Sequence, residues 1–112
     1  MNPEVLKFLY DIYQSINAIE SYLVGIETPA GYKNDSKTID AVERRLAIIG
    51  EALNKADKLN AALSISDKTK IIGLRHILVH DYDMMDNNSI WLICKKHLPK
   101  LREEVKIILD QG

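Results

Sequence analysis

Residues 74–83 read Leu-Arg-His-Ile-Leu-Val-His-Asp-Tyr-Asp, which sets Arg75, His76, His80, Asp81, Tyr82 and Asp83 among apolar neighbours. Arginine offers a permanently charged planar fork that matches two phosphate oxygens, and histidine exchanges a proton near neutral pH. Together they suit phosphodiester cleavage. In RNA the ribose 2′-hydroxyl is an internal nucleophile, so such chemistry needs only a proton acceptor or donor and a group that stabilises charge building on phosphorus. It calls for no metal ion. At about 100° per residue, Arg75 and Tyr82 fall about 20° apart on a helix, with His76, His80 and Asp83 grouped on a neighbouring strip. Two copies of this face would line a cleft with two arginines and two histidines, a local positive field.

Plainer readings of the same residues exist. Arg75 can pair with Glu51 or Asp83, His80 can settle at a helix end through the dipole there, and Tyr82 can be an ordinary core phenol. A metal site is a further alternative, because His76 and His80 are four apart and Asp83 follows one turn later. The catalytic glutamate of the zinc-protease motif is missing from that spacing, and Cys94 stands at no ligand-like interval, so no metal is expected. Trp91 and the Met84-Met85 pair read as core or interface residues. His97, beside Lys95 and Lys96, reads as solvated.

The chain that must position these groups has 112 residues, 46% apolar and 28% charged, the composition of one globular domain spanning 1–112. At this size roughly 65% of the unfolded surface can be buried, enough for one core without disulfides, and a second copy would add to it. Fifteen Lys and Arg oppose sixteen Asp and Glu. No global field attracts a polyanion, and contact with nucleic acid must be local. The one cysteine, Cys94, the absence of a signal-peptide pattern at Met1-Asn2-Pro3-Glu4 and the lack of any apolar run near ~20 residues lead us to expect a soluble protein of the reducing cytoplasm.

Val5, Leu9, Ile12, Ile16, Ile19 and Leu23 paint one stripe and predict a helix over residues 3–24, capped by Asn2. Gly25, Pro29, Gly31, Asn34 and Asp35 mark a loop of about a dozen residues. Asp35 or Ser36 then caps a second helix with the stripe Ile39, Val42, Leu46, Ile49, Leu53 and Ala56. After an irregular polar stretch, residues 57–66, Ser66 or Asp67 opens a third helix ending near Asp83, with Ile71, Leu74, Leu78 and Tyr82 on one side. Asn87, Asn88 and Ser89 cap a fourth, whose stripe is Trp91, Cys94, Leu98, Leu101, Val105 and Ile108. Pro99 predicts a kink or a break in it. The expected class is all-α, an up-and-down bundle of four to five helices. Gly50 and Gly73 lie inside helices at a cost of ~1 kcal/mol each relative to alanine, which close helix crossing would explain.

Beyond its own chemistry, the stretch resembles the Arg-x4-His-x-Tyr signature of the HepT family, the HEPN-domain toxins of HepT/MntA toxin-antitoxin systems. Arg75, His80 and Tyr82 fill its three places, and His76 fills the polar position that follows the arginine. Ala41-Val42-Glu43-Arg44-Arg45-Leu46 and Ile48-Ile49-Gly50-Glu51-Ala52 are similar to the family's second-helix block, and Ile71-Ile72-Gly73-Leu74 to its approach to the arginine. Trp91 and Leu98-Pro99 also fall where the family places a tryptophan and a proline. One departure is visible: residues 64–70 contain neither the proline nor the tryptophan of an Ile-Pro-Trp-like lead-in.

The resemblance implies an all-helical HEPN-like homodimer with a composite site at the subunit interface, cleaving RNA without metal or other cofactor. Arg75 and His80 would be catalytic, His76 would help to position substrate, and Tyr82 would receive AMP from an MntA-type minimal nucleotidyltransferase antitoxin. The alternative is a helical dimer that binds RNA or the nucleotidyltransferase without cutting. Arg44, Arg45, Lys68 and Lys70 are further candidates for RNA contact.

Overall fold

The computed structural model describes residues 1–80 and 86–111, the side chains of Val79 and His80 excepted. Helix α1 spans Pro3–Tyr22, with the Asn2 side chain accepting from the Glu4 amide at 2.8 Å. Its predicted stripe is its buried face: Val5, Leu9, Ile12, Ile16 and Ile19 are sealed from solvent. Each such side chain stabilises the fold by about 1.5–3 kcal/mol. The chain leaves α1 through Gly25, whose φ of +85° an L side chain adopts only with strain.

The expected loop holds a short helix of its own, α2, Pro29–Lys33. Thr28 accepts from the Gly31 amide at 3.0 Å and Pro29 begins the turn, a capped start that a reading of the glycines and proline as loop punctuation overlooks. One turn is enough to bury Tyr32, which stacks at a tilt on Trp91 with centroids 5.9 Å apart.

Helix α3, Ser36–Leu59, is capped by Asp35, which accepts from the Thr38 amide. It runs three residues past the last apolar position of its stripe. Leu63 and Ile65 are buried in the connection that follows. Polar clasps hold that connection: the Ser66 amide and hydroxyl both donate to Glu104 Oε2 at 2.9 Å, and Lys68 Nζ meets Asp57 Oδ1 at 2.8 Å and the Ala61 carbonyl at 3.2 Å. These contacts do the docking for which the sequence offers no proline or tryptophan.

Helix α4 is described over Lys68–His80, entered through Asp67 at φ +57°. Its expected end near Asp83 lies outside the described residues. Helix α5, Asn87–Leu92, is capped by Asp86, one residue before the expected caps; its carboxylate accepts from the Ser89 amide at 2.7 Å, which holds its pKa below the usual carboxylate value. The helical run continues through Pro99 without a gap. Proline has no amide N–H and crowds the carbonyl four residues back, and the chain responds with a π-helical turn at Ile93–His97, in which the Leu98 amide donates to Ile93 five residues earlier. Helix α6, Leu98–Gln111, then continues.

Helix α3 packs along α1 and carries α4 on another side, while α6 lies against α1. The all-helical class is as expected, and the described residues contain no strand. Helix α4 rests chiefly on α3, with Ile71 and Leu74 buried and Ile72, Ile77 and Leu78 only half covered. Among the described residues no helix is long and apolar enough to cross a membrane.

Candidate active site

The crossing of α3 and α4 sets the site. A Cβ on Gly50 would stand 3.0 Å from the Ile71 carbonyl oxygen and 3.0 Å from the Arg75 amide nitrogen, so the absent side chain lets the two backbones touch. Close packing thus explains Gly50. It does not explain Gly73, where a Cβ would meet nothing within 4 Å in this chain. The residue after Gly50 is Glu51, and backbone contact at the crossing brings its side chain to the root of Arg75.

Arg75 is the predicted site residue whose side chain the structure places most fully. It is 47% exposed, and its Nε lies 2.6 Å from Glu51 Oε2. The other carboxylate oxygen, Oε1, faces Lys55 Nζ at 3.6 Å, a helical i, i+4 pair in the favourable order. Glu51 is thus shared between two cations, one oxygen each. Of the two partners that the sequence offers Arg75, Asp83 lies outside the described residues and Glu51 is the one observed.

Beside this pair opens a cleft of about 460 Å³ lined by Asp11, Arg44, Ala47, Ile48, Glu51, Ala52 and Arg75. Its floor is apolar and its rim carries two guanidiniums and two carboxylates. Asp11 carries no local signal in the sequence, being one polar residue among several on α1; only the packing of α1 on α3 brings it here.

His76 is exposed on α4, one residue beyond Arg75. His80 is the last described residue of that helix. The side chain of His80 is outside what the structure describes. Tyr82, Asp81, Asp83, Met84 and Met85 lie outside the described residues, and the zinc reading of His76, His80 and Asp83 falls there too. Among the described residues no cluster of three or more His, Cys, Asp or Glu could hold a metal ion.

The other candidate cations divide. Arg44 is exposed and lines the cleft. Arg45 donates from Nε to the Tyr22 hydroxyl at 3.4 Å, and Lys68 is taken up by the clasp to Asp57. Lys70 lines a separate pocket of about 250 Å³ with Leu74, Ile77 and His97. His97 is not simply solvated: its Nδ1 sits 3.6 Å from Asp67 Oδ2, at the start of α4.

A profile described as ribonuclease HepT-like matches residues 12–108, most of the chain and all of the site just described except Asp11. The chain belongs to the HepT-like ribonuclease family. Its similar proteins include three from Methanocaldococcus jannaschii. "Putative RNase MJ1380" is 33% identical over 94% of this chain and 96% of its own length. "Putative RNase MJ1216" is 30% identical over 96% of this chain and 89% of its own. "Gamma-glutamylcyclotransferase and putative RNase MJ0434" is 32% identical over 99% of this chain, which spans half of that longer protein. No solved structure matches the chain significantly. For this family member, the structure brings Arg75 and Glu51 together at the edge of a cleft and leaves α4 half covered beside them.

Proposed function

We propose that this protein is the toxin of a toxin-antitoxin pair, an endoribonuclease that cleaves RNA without a metal ion at a composite site shared by two copies of the chain. Membership of the HepT-like ribonuclease family over residues 12–108 carries the reading. Arg75, exposed at the rim of a cleft, holds the scissile phosphate and stabilises its developing charge. His80 is the general acid or base, and His76 helps to position the substrate. The 2′-hydroxyl gives up its proton and attacks phosphorus, the bond to the 5′-oxygen breaks, and that oxygen takes a proton as it leaves. The products are a cyclic phosphate and a 5′-hydroxyl.

One feature of α4 supports a shared site. The half-covered Ile72, Ile77 and Leu78 supply apolar area on this helix for a second copy to bury. Regulation follows from Tyr82. An MntA-type nucleotidyltransferase moves AMP from ATP to its hydroxyl, releasing pyrophosphate, and the new phosphate then competes with RNA for Arg75.

The test is purified protein with RNA and a chelator. Cleavage to cyclic phosphate ends is expected, and it should be lost in His80→Ala, which should remain dimeric by light scattering. Cleavage by that variant would overturn the role of His80. After co-expression with the partner, mass spectrometry should find AMP on Tyr82 and none in Tyr82→Phe. A second reading, a dimer that binds RNA or the nucleotidyltransferase without cutting, draws support from the ion pair that already engages Arg75. It predicts RNA binding with no cleavage in any buffer.

A further inference from the structure

We infer that Glu51 is a positioning residue for Arg75: its carboxylate, steadied by Lys55, grips the guanidinium at Nε and presents the terminal nitrogens to phosphate in the cleft beside α3. The inference rests on the ribonuclease reading for the identity of that phosphate. It rests on the structure for the grip.

The first observation is which nitrogen is engaged. Glu51 Oε2 lies 2.6 Å from Arg75 Nε. A guanidinium carries five N–H donors, one on Nε and four on the terminal nitrogens, and the terminal four suit a bidentate phosphate contact. A carboxylate beside Nε leaves those terminal donors to such a contact. A carboxylate that blocked the site would sit across the terminal pair.

The second observation is how the carboxylate is itself held. Its Oε1 faces Lys55 Nζ at 3.6 Å, and that ammonium also lies 5.8 Å from the centroid of the Phe8 ring. The two oxygens thus point to different cations, which fixes the rotation of the carboxylate plane. Lys55 also offsets its charge, so the group of three stays net positive toward RNA.

The third observation is the base on which the pair stands. Gly50, next to Glu51, has only 3.0 Å between its missing Cβ and the backbone of α4 at Ile71 and Arg75. The two helices cannot slide closer there, and the distance from Glu51 to the root of Arg75 is set by main chain. Arg75 itself is nearly half exposed. A long arginine side chain in that setting would otherwise wander over many rotamers, and misplacing a catalytic group by about 1 Å can cost about 100-fold in rate.

The experiment compares cleavage kinetics of the wild-type protein, Glu51→Ala and Glu51→Gln, with thermal unfolding of each as the control on folding. Glu51→Ala should lower kcat by about 10- to 100-fold with KM changed by no more than about threefold. Glu51→Gln should recover most of that loss, because it keeps the side chain's length and an oxygen beside Nε. In an Arg75→Lys background, which has no guanidinium to orient, Glu51→Ala should have no further effect. A faster or tighter-binding Glu51→Ala enzyme would overturn the inference and make Glu51 a gate. Equal losses in both variants with a matching fall in Tm would overturn it in favour of a purely structural role. If the wild-type protein cleaves no RNA, the ribonuclease reading fails separately. Fluorescence anisotropy with labelled oligouridylate then decides: binding weakened by Glu51→Ala within that threefold limit, and not in the Arg75→Lys background, upholds the positioning role, and no difference overturns it.

Discussion

Arg75 sends one nitrogen to Glu51 and stands half exposed at the rim of a cleft, and that arrangement separates it from a lysine in the same place. A lysine supplies charge but no planar fork and no Nε. Arg75→Lys should therefore lose about 100- to 1000-fold in kcat for RNA cleavage, close to the loss in Arg75→Ala, read in single-turnover assays. Arg44 differs. It shares the cleft but stands two turns of α3 away from Glu51, where it would touch a flanking phosphate. Arg44→Ala should weaken binding to different RNA sequences alike and reduce the slope of log K against log salt by about one, with kcat little changed. That Arg75 suits a phosphate was legible in residue type alone. Its contact with Glu51 was not, because nothing local in the sequence shows that the crossing of α3 and α4 brings that carboxylate within reach.

The two internal glycines show how an element's environment, invisible in its periodicity, sets the sign of a substitution. At Gly50 a methyl group would press on the α4 backbone at 3.0 Å, and backbone cannot step aside as a side chain can. Gly50→Ala should lower Tm, and by shifting Arg75 relative to Glu51 it should lower activity as well. At Gly73 nothing lies within 4 Å of the added carbon in this chain. Gly73→Ala should therefore raise helix stability by about 0.5–1 kcal/mol, seen as a higher Tm. If both variants moved Tm the same way, the crossing geometry would be wrong. Pro99 teaches a similar lesson. A proline inside an apolar stripe announces a local conflict, but whether the helix bends, stops or widens depends on what it packs against. Here Cys94 inside the π-helical turn and Leu98 and Leu101 after it stay buried, and widening is the solution that keeps them so.

For the molecule as a whole, stability rests on the contact between α1 and α3. Leu46 on α3 has no solvent exposure. Leu46→Ala should cost about 2–5 kcal/mol, a large share of the 5–15 kcal/mol typical of a domain, measurable by urea denaturation. The buried acids around α2 and the π-helical turn add a pH dependence. Burial pushes the Cys94 thiol up to about 12, and the Tyr32 hydroxyl, without a hydrogen-bond partner among the described residues, is also raised, first by burial and then by the charge of Cys94 and Glu43. Both groups are neutral in the folded state at neutral pH, and the unfolded chain ionises first. Their contribution to stability is complete below the unfolded thiol value near 9 and is lost as pH rises through the folded values. Tm should therefore fall with alkali above about pH 9, and less steeply in Cys94→Ala. The native thiol should resist alkylation at neutral pH and react only on unfolding.

The residues by themselves determined the longer helices but not α2, the stripes that became the core, the capping of α1 and α3, and a cluster whose chemistry suits phosphate, because periodicity and side-chain type act within a few turns of one helix. Tertiary structure decided which carboxylate holds Arg75, that Gly50 is a crossing and Gly73 is not, that Asp11 and Arg44 share a cleft, and that α4 lies half covered on α3. Those outcomes depend on the angle and depth at which separate helices meet, and contacts between residues far apart in the chain leave no local pattern to read.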